Sequence, residues 1–104
     1  MIQINKKFCI DEEERDLCYI TKKGYEHIRV TKTQFLIVIT LLKRTIENRY
    51  TTRQKLEELI YSCKPNSNVV IKHIQKLRDK IGKRAEIHSL IEDRHGFGYR
   101  LKTN

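Results

Sequence analysis

Lys72, Lys76 and Lys80 recur at four-residue steps in the run Val69-Val70-Ile71-Lys72-His73-Ile74-Gln75-Lys76-Leu77-Arg78-Asp79-Lys80-Ile81. Four residues is close to one helical turn, so on a helix the three ammonium groups stack along one edge, beside His73, Gln75 and Asp79. Such a row contains no nucleophile with a base beside it. Its chemistry is attraction for a polyanion, with amide and imidazole groups at hand for hydrogen bonding. A second basic pair, Arg94-His95, falls in the polar turn Asp93-Arg94-His95-Gly96 between two strand-like runs, residues 87–92 and 97–101. Cations on an exposed helix face and a hairpin tip would neutralise phosphates and release counterions.

The whole-chain charge agrees with this chemistry. A formal net charge of +9 and a pI near 9.6 give a positive field that concentrates polyanions, with nucleic acid the leading partner and an anionic membrane the second. Residues 51–104 hold 12 Lys and Arg against 6 Asp and Glu, whereas residues 1–50 hold 10 against 7, so the second half is the better binding surface. At 104 residues the chain closes one core, and 38% hydrophobic with 34% charged residues describes a globular domain with a heavily charged surface. The longest apolar run, residues 35–42 with Thr40 inside it, is far short of the ~20 residues that cross a bilayer.

Other chemistries lack their residues. There is no G-x-S-x-G, H-E-x-x-H or phosphate loop, so neither an enzyme nor a small-molecule substrate is expected. Glu12, Glu13 and Glu14 are consecutive and point in different directions, which suits a solvated turn. Cys9, Cys18 and Cys63 form no C-x-x-C pair and read as reduced, mostly buried thiols. With His27, His73, His88 and His95 they match no zinc spacing, so no metal and no cofactor is expected.

The elements that must position the basic residues follow from periodicity. Residues 1–30 alternate in the strand manner between short polar turns, which predicts a small antiparallel sheet. At Val30 the period becomes helical. Thr31 and Gln34 form a capping box, and Val30 with Phe35 a hydrophobic staple, so two signals set one helix start. Phe35, Leu36, Ile37, Val38, Ile39, Leu41 and Leu42 then leave little polar face and predict a helix buried on most sides, closed by Lys43 and Arg44. A second helix starts at Thr51 or Thr52, packs Leu56, Leu59, Ile60 and Cys63, and ends at Pro65. A third spans residues 68–81. Val70, Ile74, Leu77 and Ile81 form its core stripe, with Val69 or Ile71 off that face and Gly82 suited to a left-handed C′ position. In the hairpin beyond, Tyr99 rather than Phe97 is expected in the core. The result is a single α+β domain, residues 1–104: an N-terminal antiparallel sheet (1–30), a three-helix core (31–82) and a C-terminal β-hairpin (83–104).

That order, sheet, three helices and basic hairpin, is the order of a winged helix-turn-helix. Residues 30–101 resemble the OmpR/PhoB-type winged-helix effector domain, in the receiver-less variant similar to ToxR/CadC-type regulators. The resemblance rests on Val30-Thr31-Lys32-Thr33-Gln34-Phe35, on Thr52-Arg53-Gln54-Lys55-Leu56, on residues 70–81, and on Gly96-Phe97-Gly98-Tyr99-Arg100-Leu101. It implies a bacterial, cytoplasmic, sequence-specific transcription regulator of double-stranded DNA, free or as the cytosolic head of a membrane-tethered protein. It also implies that Asn68, Val69, Ile71, Lys72, His73, Gln75 and Lys76 face DNA, and that Arg78 contacts phosphate. Arg94 and His95 would reach the minor groove or backbone, and Arg53 would hold a phosphate at the second helix N-terminus. Residues 62–67 would correspond to the region that meets RNA polymerase, and a homodimer on DNA is expected because one module reads few base pairs.

The chain departs from the family pattern at Ile71, where an acidic residue is common. Ile71 can pack on a thymine methyl but cannot accept from cytosine, which predicts an A·T-rich preference. Glu92-Asp93-Arg94 replaces small strand formers and leaves the hairpin register open. The alternative function is a winged helix used for protein contact without DNA.

Overall fold

The computed structural model describes residues 1–61, 69–82 and 90–103. The first four strands, β1 (Ile2–Gln3), β2 (Phe8–Asp11), β3 (Asp16–Thr21) and β4 (Gly24–Ile28), form an antiparallel meander in sequence order. Tight turns set this topology, because each leaves room only for the next strand to fold back. Asn5 builds the first turn: its Oδ1 accepts from the N–H groups of Lys7 (2.8 Å) and Phe8 (2.9 Å). Its Nδ2 donates to Lys102 O at 2.6 Å and ties the sheet to the far end of the chain. Asp11 starts the next turn by accepting from the N–H groups of Glu13 and Glu14 at 3.2 and 3.3 Å. Glu12, Glu13 and Glu14 are exposed there, as a solvated turn requires.

Alternate residues of the sheet, Phe8, Ile10, Leu17 and Ile28, enter the core under the first helix, α1 (Lys32–Ile46). The capping box is present in full: Thr31 Oγ1 accepts from Gln34 N at 3.2 Å, and Gln34 Oε1 accepts from Thr31 N at 3.0 Å. The helix ends at Ile46, two residues past Arg44, with Lys43 and Arg44 in its last turn as read from sequence. It ends in a Schellman motif, in which Asn48, at φ 61°, donates to Thr45 O (2.8 Å) and Arg49 donates to Arg44 O (2.9 Å). Asn tolerates the left-handed C′ position better than most residues, which is the physical reason for the later stop. α1 is buried on most sides, as expected: Lys32, Leu36, Lys43 and Ile46 are exposed along one edge, Leu36 at 39% and Ile46 at 72%.

Thr52 caps α2 (Arg53–Tyr61) by accepting from Lys55 N at 3.1 Å. Leu56 is buried and Ile60 partly so, but Leu59 is 49% exposed while Glu57 is buried, so the packing face lies one position off the expected stripe. Cys63 and Pro65 lie outside the described residues, as does the 62–67 loop. α3 (Val69–Ile81) buries Val70, Ile74, Leu77 and Ile81, the predicted stripe. Gly82 follows it without positive φ, contrary to expectation; its N–H continues the helical pattern by donating to Arg78 O at 2.7 Å.

The wing consists of β5 (Ile91–Arg94) and β6 (Gly98–Leu101), paired Ile91↔Leu101 through Arg94↔Gly98. The turn, Arg94 to Phe97, therefore lies one residue beyond the expected Asp93–Gly96. Asp93 and Arg94 are strand residues, and Phe97 belongs to the turn. Phe97 N donates to Arg94 O at 2.9 Å around Gly96 at φ 85°, the signature of a type II turn, which needs glycine at its third position. The register is held by an ion pair across the strands, Arg100 Nε to Glu92 Oε1 at 3.2 Å.

The wing is sewn to the residue pair before α2. Thr51 and Tyr99 exchange both backbone hydrogen bonds at 2.8 Å, and Thr45 Oγ1 in α1 accepts from Leu101 N at 3.1 Å. This approach leaves no room for a side chain at Gly98, where a Cβ would lie 2.5 Å from Thr51 O. A Gly98→Ala substitution combines that clash with a φ of 106° and should cost about 3 kcal/mol or more. Gly96→Ala meets open space and should cost only about 1 kcal/mol of backbone strain. Urea denaturation of the two variants beside the parent measures the difference.

Candidate nucleic-acid interface

With its stripe turned inward, α3 presents Val69, Lys72, Gln75, Lys76 and Asp79 to solvent. Val69 is 40% exposed, and Ile71 and His73 are half-buried on opposite flanks of the stripe. Of the predicted groove residues the structure thus brings Val69, Lys72, Gln75 and Lys76 onto one open face, with Ile71 and His73 at its borders. Asn68 lies outside the described residues.

The remaining cations of the helix are engaged within the fold. Arg78, expected at a phosphate, donates from Nη2 to Ile91 O and to Asp93 Oδ1, each at 3.1 Å. Its side chain is only 17% exposed, against 52% for Asp93, so it fastens α3 to β5 rather than reaching outward. Lys80, read as the third member of the lysine row, donates from Nζ to Arg29 O at 3.0 Å and to Gln34 Oε1 at 2.8 Å. One carboxamide oxygen therefore serves both the α1 capping box and the end of α3. The four-residue row continues through Lys80, but only Lys72 and Lys76 are exposed.

His73 is not a cation at neutral pH. Burial, with the nearby Lys76 adding to it, holds its pKa below the usual histidine value, and Nδ1 has no hydrogen-bond partner among the described residues.

At the wing, Arg53 from the start of α2 lines a shallow cleft with Asp93, Arg94, His95, Gly96 and Tyr99. Two basic side chains and a histidine from separate elements converge there, Arg53 from α2 and Arg94 and His95 from the wing. Tyr99 packs on the core and Phe97 is 53% exposed, as expected. A participant that sequence reasoning missed is Tyr50. Its ring lies 5.6 Å from that of Phe97, Arg94 sits 4.7 Å over Phe97, and Arg100 lies 5.3 Å over Tyr50. Hydrogen bonding to Arg94, then to Arg100, holds the Tyr50 phenol below its ordinary pKa. An aromatic residue immediately before the Thr51-Thr52 helix start was the available signal.

A meander, three helices and a hairpin held at right distance from the third helix define a winged helix-turn-helix protein. The family model described as "Transcriptional regulatory protein, C terminal" matches residues 24–101, and the chain belongs to that family. Solved structures show the same fold. The DNA-binding domain of the response regulator AdeR, in complex with an intercistronic region, superposes with a TM-score of 0.75 at 20% identity, covering 96% of this chain and 98% of that one. The DNA-binding domain of CpxR from E. coli gives 0.69 at 18%, covering 93% and 91%. That of Bacillus subtilis CssR gives 0.61 at 20%, covering 91% and 99%. No curated protein sequence matches the chain. Among the described residues no helix is long and apolar enough to cross a membrane.

The ties of Arg78 and the burial of His73 give two expected outcomes. Arg78→Ala should lose about 1–2 kcal/mol in chemical denaturation, because it removes two charge-assisted hydrogen bonds, one to a half-exposed carboxylate. A histidine with a lowered folded-state pKa binds its proton more readily in the unfolded chain. Its stabilisation is therefore complete above the ordinary histidine range and is lost as pH falls through the folded value. Between pH 7 and 5 the parent should lose more stability than His73→Gln, as thermal unfolding across that range would show.

Proposed function

We propose that this chain is the sequence-specific, double-stranded-DNA-binding domain of a bacterial transcription regulator. α3 lies in the major groove and the wing turn reaches the adjacent minor groove or backbone. The observation that carries this reading is the two-sidedness of α3: four aliphatic residues buried along one stripe, and Lys72, Gln75 and Lys76 exposed on the opposite side of a chain with net charge +9. An α-helix fits the major groove, where Gln75 can pair with adenine and the lysines with guanine or phosphate. Val69 and Ile71 offer methyl contacts to thymine, which supports an A·T-rich preference. Arg53, Arg94 and His95 line one cleft beside the wing turn and are assigned to phosphate. Arg78 acts by holding the wing in place, and His73 by neutral hydrogen bonding or packing.

DNA-bound AdeR supports the placement by its shared fold. The domain acts in the cytoplasm, without catalysis, as one of two copies on its operator. Contact with RNA polymerase through residues 62–67 belongs to the same reading.

Duplex binding under a salt titration tests it. With about four phosphate contacts, affinity should fall on the order of 100-fold between 50 and 200 mM salt. Lys76→Ala should lower the slope of log affinity against log salt by about 1, and Ile71→Asp should change the motif selected from a random duplex pool. Salt-insensitive binding to a protein with no duplex affinity would instead establish the protein-contact function. An unchanged motif in Ile71→Asp would remove that side chain from the groove.

A further inference from the structure

The outer face of the N-terminal sheet carries a cluster that DNA binding does not use. Side chains alternate across a strand, and Phe8, Ile10, Leu17 and Ile28 face the core, so Cys9, Asp11, Asp16, Cys18 and His27 share the other face. The register sets Cys18 directly opposite His27 and Cys9, with Asp11 on the diagonal and opposite Asp16. Ligand atoms of Asp11, Cys18 and His27 all lie within 4.8 Å of one another, and Cys18 Sγ is 3.7 Å from His27 Nδ1.

We propose that Asp11, Cys18 and His27 form a binding site for a borderline-soft divalent cation of the zinc class. A thiolate, an imidazole and a carboxylate are the donor types zinc takes, and three protein ligands leave a fourth tetrahedral position for water. Tetrahedral coordination at ordinary zinc distances separates sulfur from nitrogen by about 3.6 Å, close to the spacing already present. Asp11 is held in place, since its Oδ1 accepts from the N–H groups of Glu13 and Glu14. His27 is exposed and can close the remaining gap, which also makes it the side from which the ion enters.

The charges on this face favour a cation. Asp11 and Asp16 are directly paired across adjacent strands, an arrangement in which like charges repel. Burial, then the fields of Asp11, Cys9 and Asp16, pushes the Cys18 thiol above its ordinary pKa. The same negative field attracts a positive ion. On binding, the Cys18 S–H proton goes to solvent, the thiolate lone pair goes to the cation, and neutral imidazole and carboxylate complete the set. No sequence motif announces the site, because ligands seven and nine residues apart meet only through the register of β2, β3 and β4.

The test titrates cobalt(II) into reduced, untagged protein in the absence of oxygen. The expected result is one site per chain, with a sulfur-to-cobalt charge-transfer band in the near ultraviolet that zinc displaces, and a rise in Tm with zinc. Cys18→Ser should abolish the band, and His27→Ala should weaken binding by about 100-fold, whereas Glu13→Gln should leave both unchanged. Since His27 is exposed, its variant keeps the fold, which circular dichroism verifies if Cys18→Ser does not. Absence of cobalt binding at micromolar concentration, or binding undiminished in His27→Ala, overturns the proposal. Duplex affinity is not needed for either outcome.

Discussion

The fold depends on the roll of one helix. Four aliphatic side chains, Val70, Ile74, Leu77 and Ile81, hold α3 against α1 and α2, a burial of about 6–12 kcal/mol before the entropy of ordering is subtracted. The stripe is narrow. Turning the helix by one residue would push Lys76 or Arg78 toward the core, at a cost of several kcal/mol for an unpaired charge. Arg78 and Lys80 then fix the roll from both flanks, one bound to β5 and the other to the junction of β4 and α1. The direction in which Lys72 and Lys76 point is therefore a consequence of what their neighbours bury and bind.

The same logic positions the wing. Its two strands would be marginal as an isolated hairpin. They gain support from Arg78 on one side and from the paired backbone of Thr51 and Tyr99 on the other. Thr51 is also the acceptor for Arg44 Nε of α1 at 2.7 Å, so α1, the start of α2 and β6 meet at one threonine. Gly98 is the condition for that meeting. Because Arg53 follows Thr51 and Thr52 directly, the contact that seats the wing also sets the distance between Arg53 and the wing turn.

What was legible in the sequence divides along physical lines. Signals confined to a few neighbouring residues read well: the Thr31–Gln34 capping box, the meander, and the Val70–Ile81 stripe. Signals that depend on distant partners did not. Arg78 and Lys72 look alike in sequence, and only the arrival of Asp93 and Ile91 separates a tie from a free cation. Leu59 is exposed and Glu57 buried because the position of α2 is decided by α1 and α3 rather than by its own periodicity. The hairpin turn was misplaced by one residue because Asp93 and Arg94 were read together as part of a polar turn, and aspartate is a turn former by type. They are held in strand by Arg78 at one and by the type II turn at the other. Asn48 was a local signal, overlooked beside the more obvious basic pair at Lys43-Arg44.

The distribution of charge over these roles bears on how the surface can discriminate among ligands. A net charge of +9 suggests many outward cations, yet Arg78, Lys80 and Arg100 are bound within the fold. On α3 the open face holds two lysines, a glutamine, a valine and Asp79, flanked by Ile71. Two cations give attraction for any duplex without distinguishing one from another, since phosphate contacts carry no sequence information. Under the proposed function, discrimination would fall to Gln75 and the aliphatic groups, which gain most where thymine methyls line the groove. The cations that fold the protein thus leave the open face of α3 less charged than its composition implies.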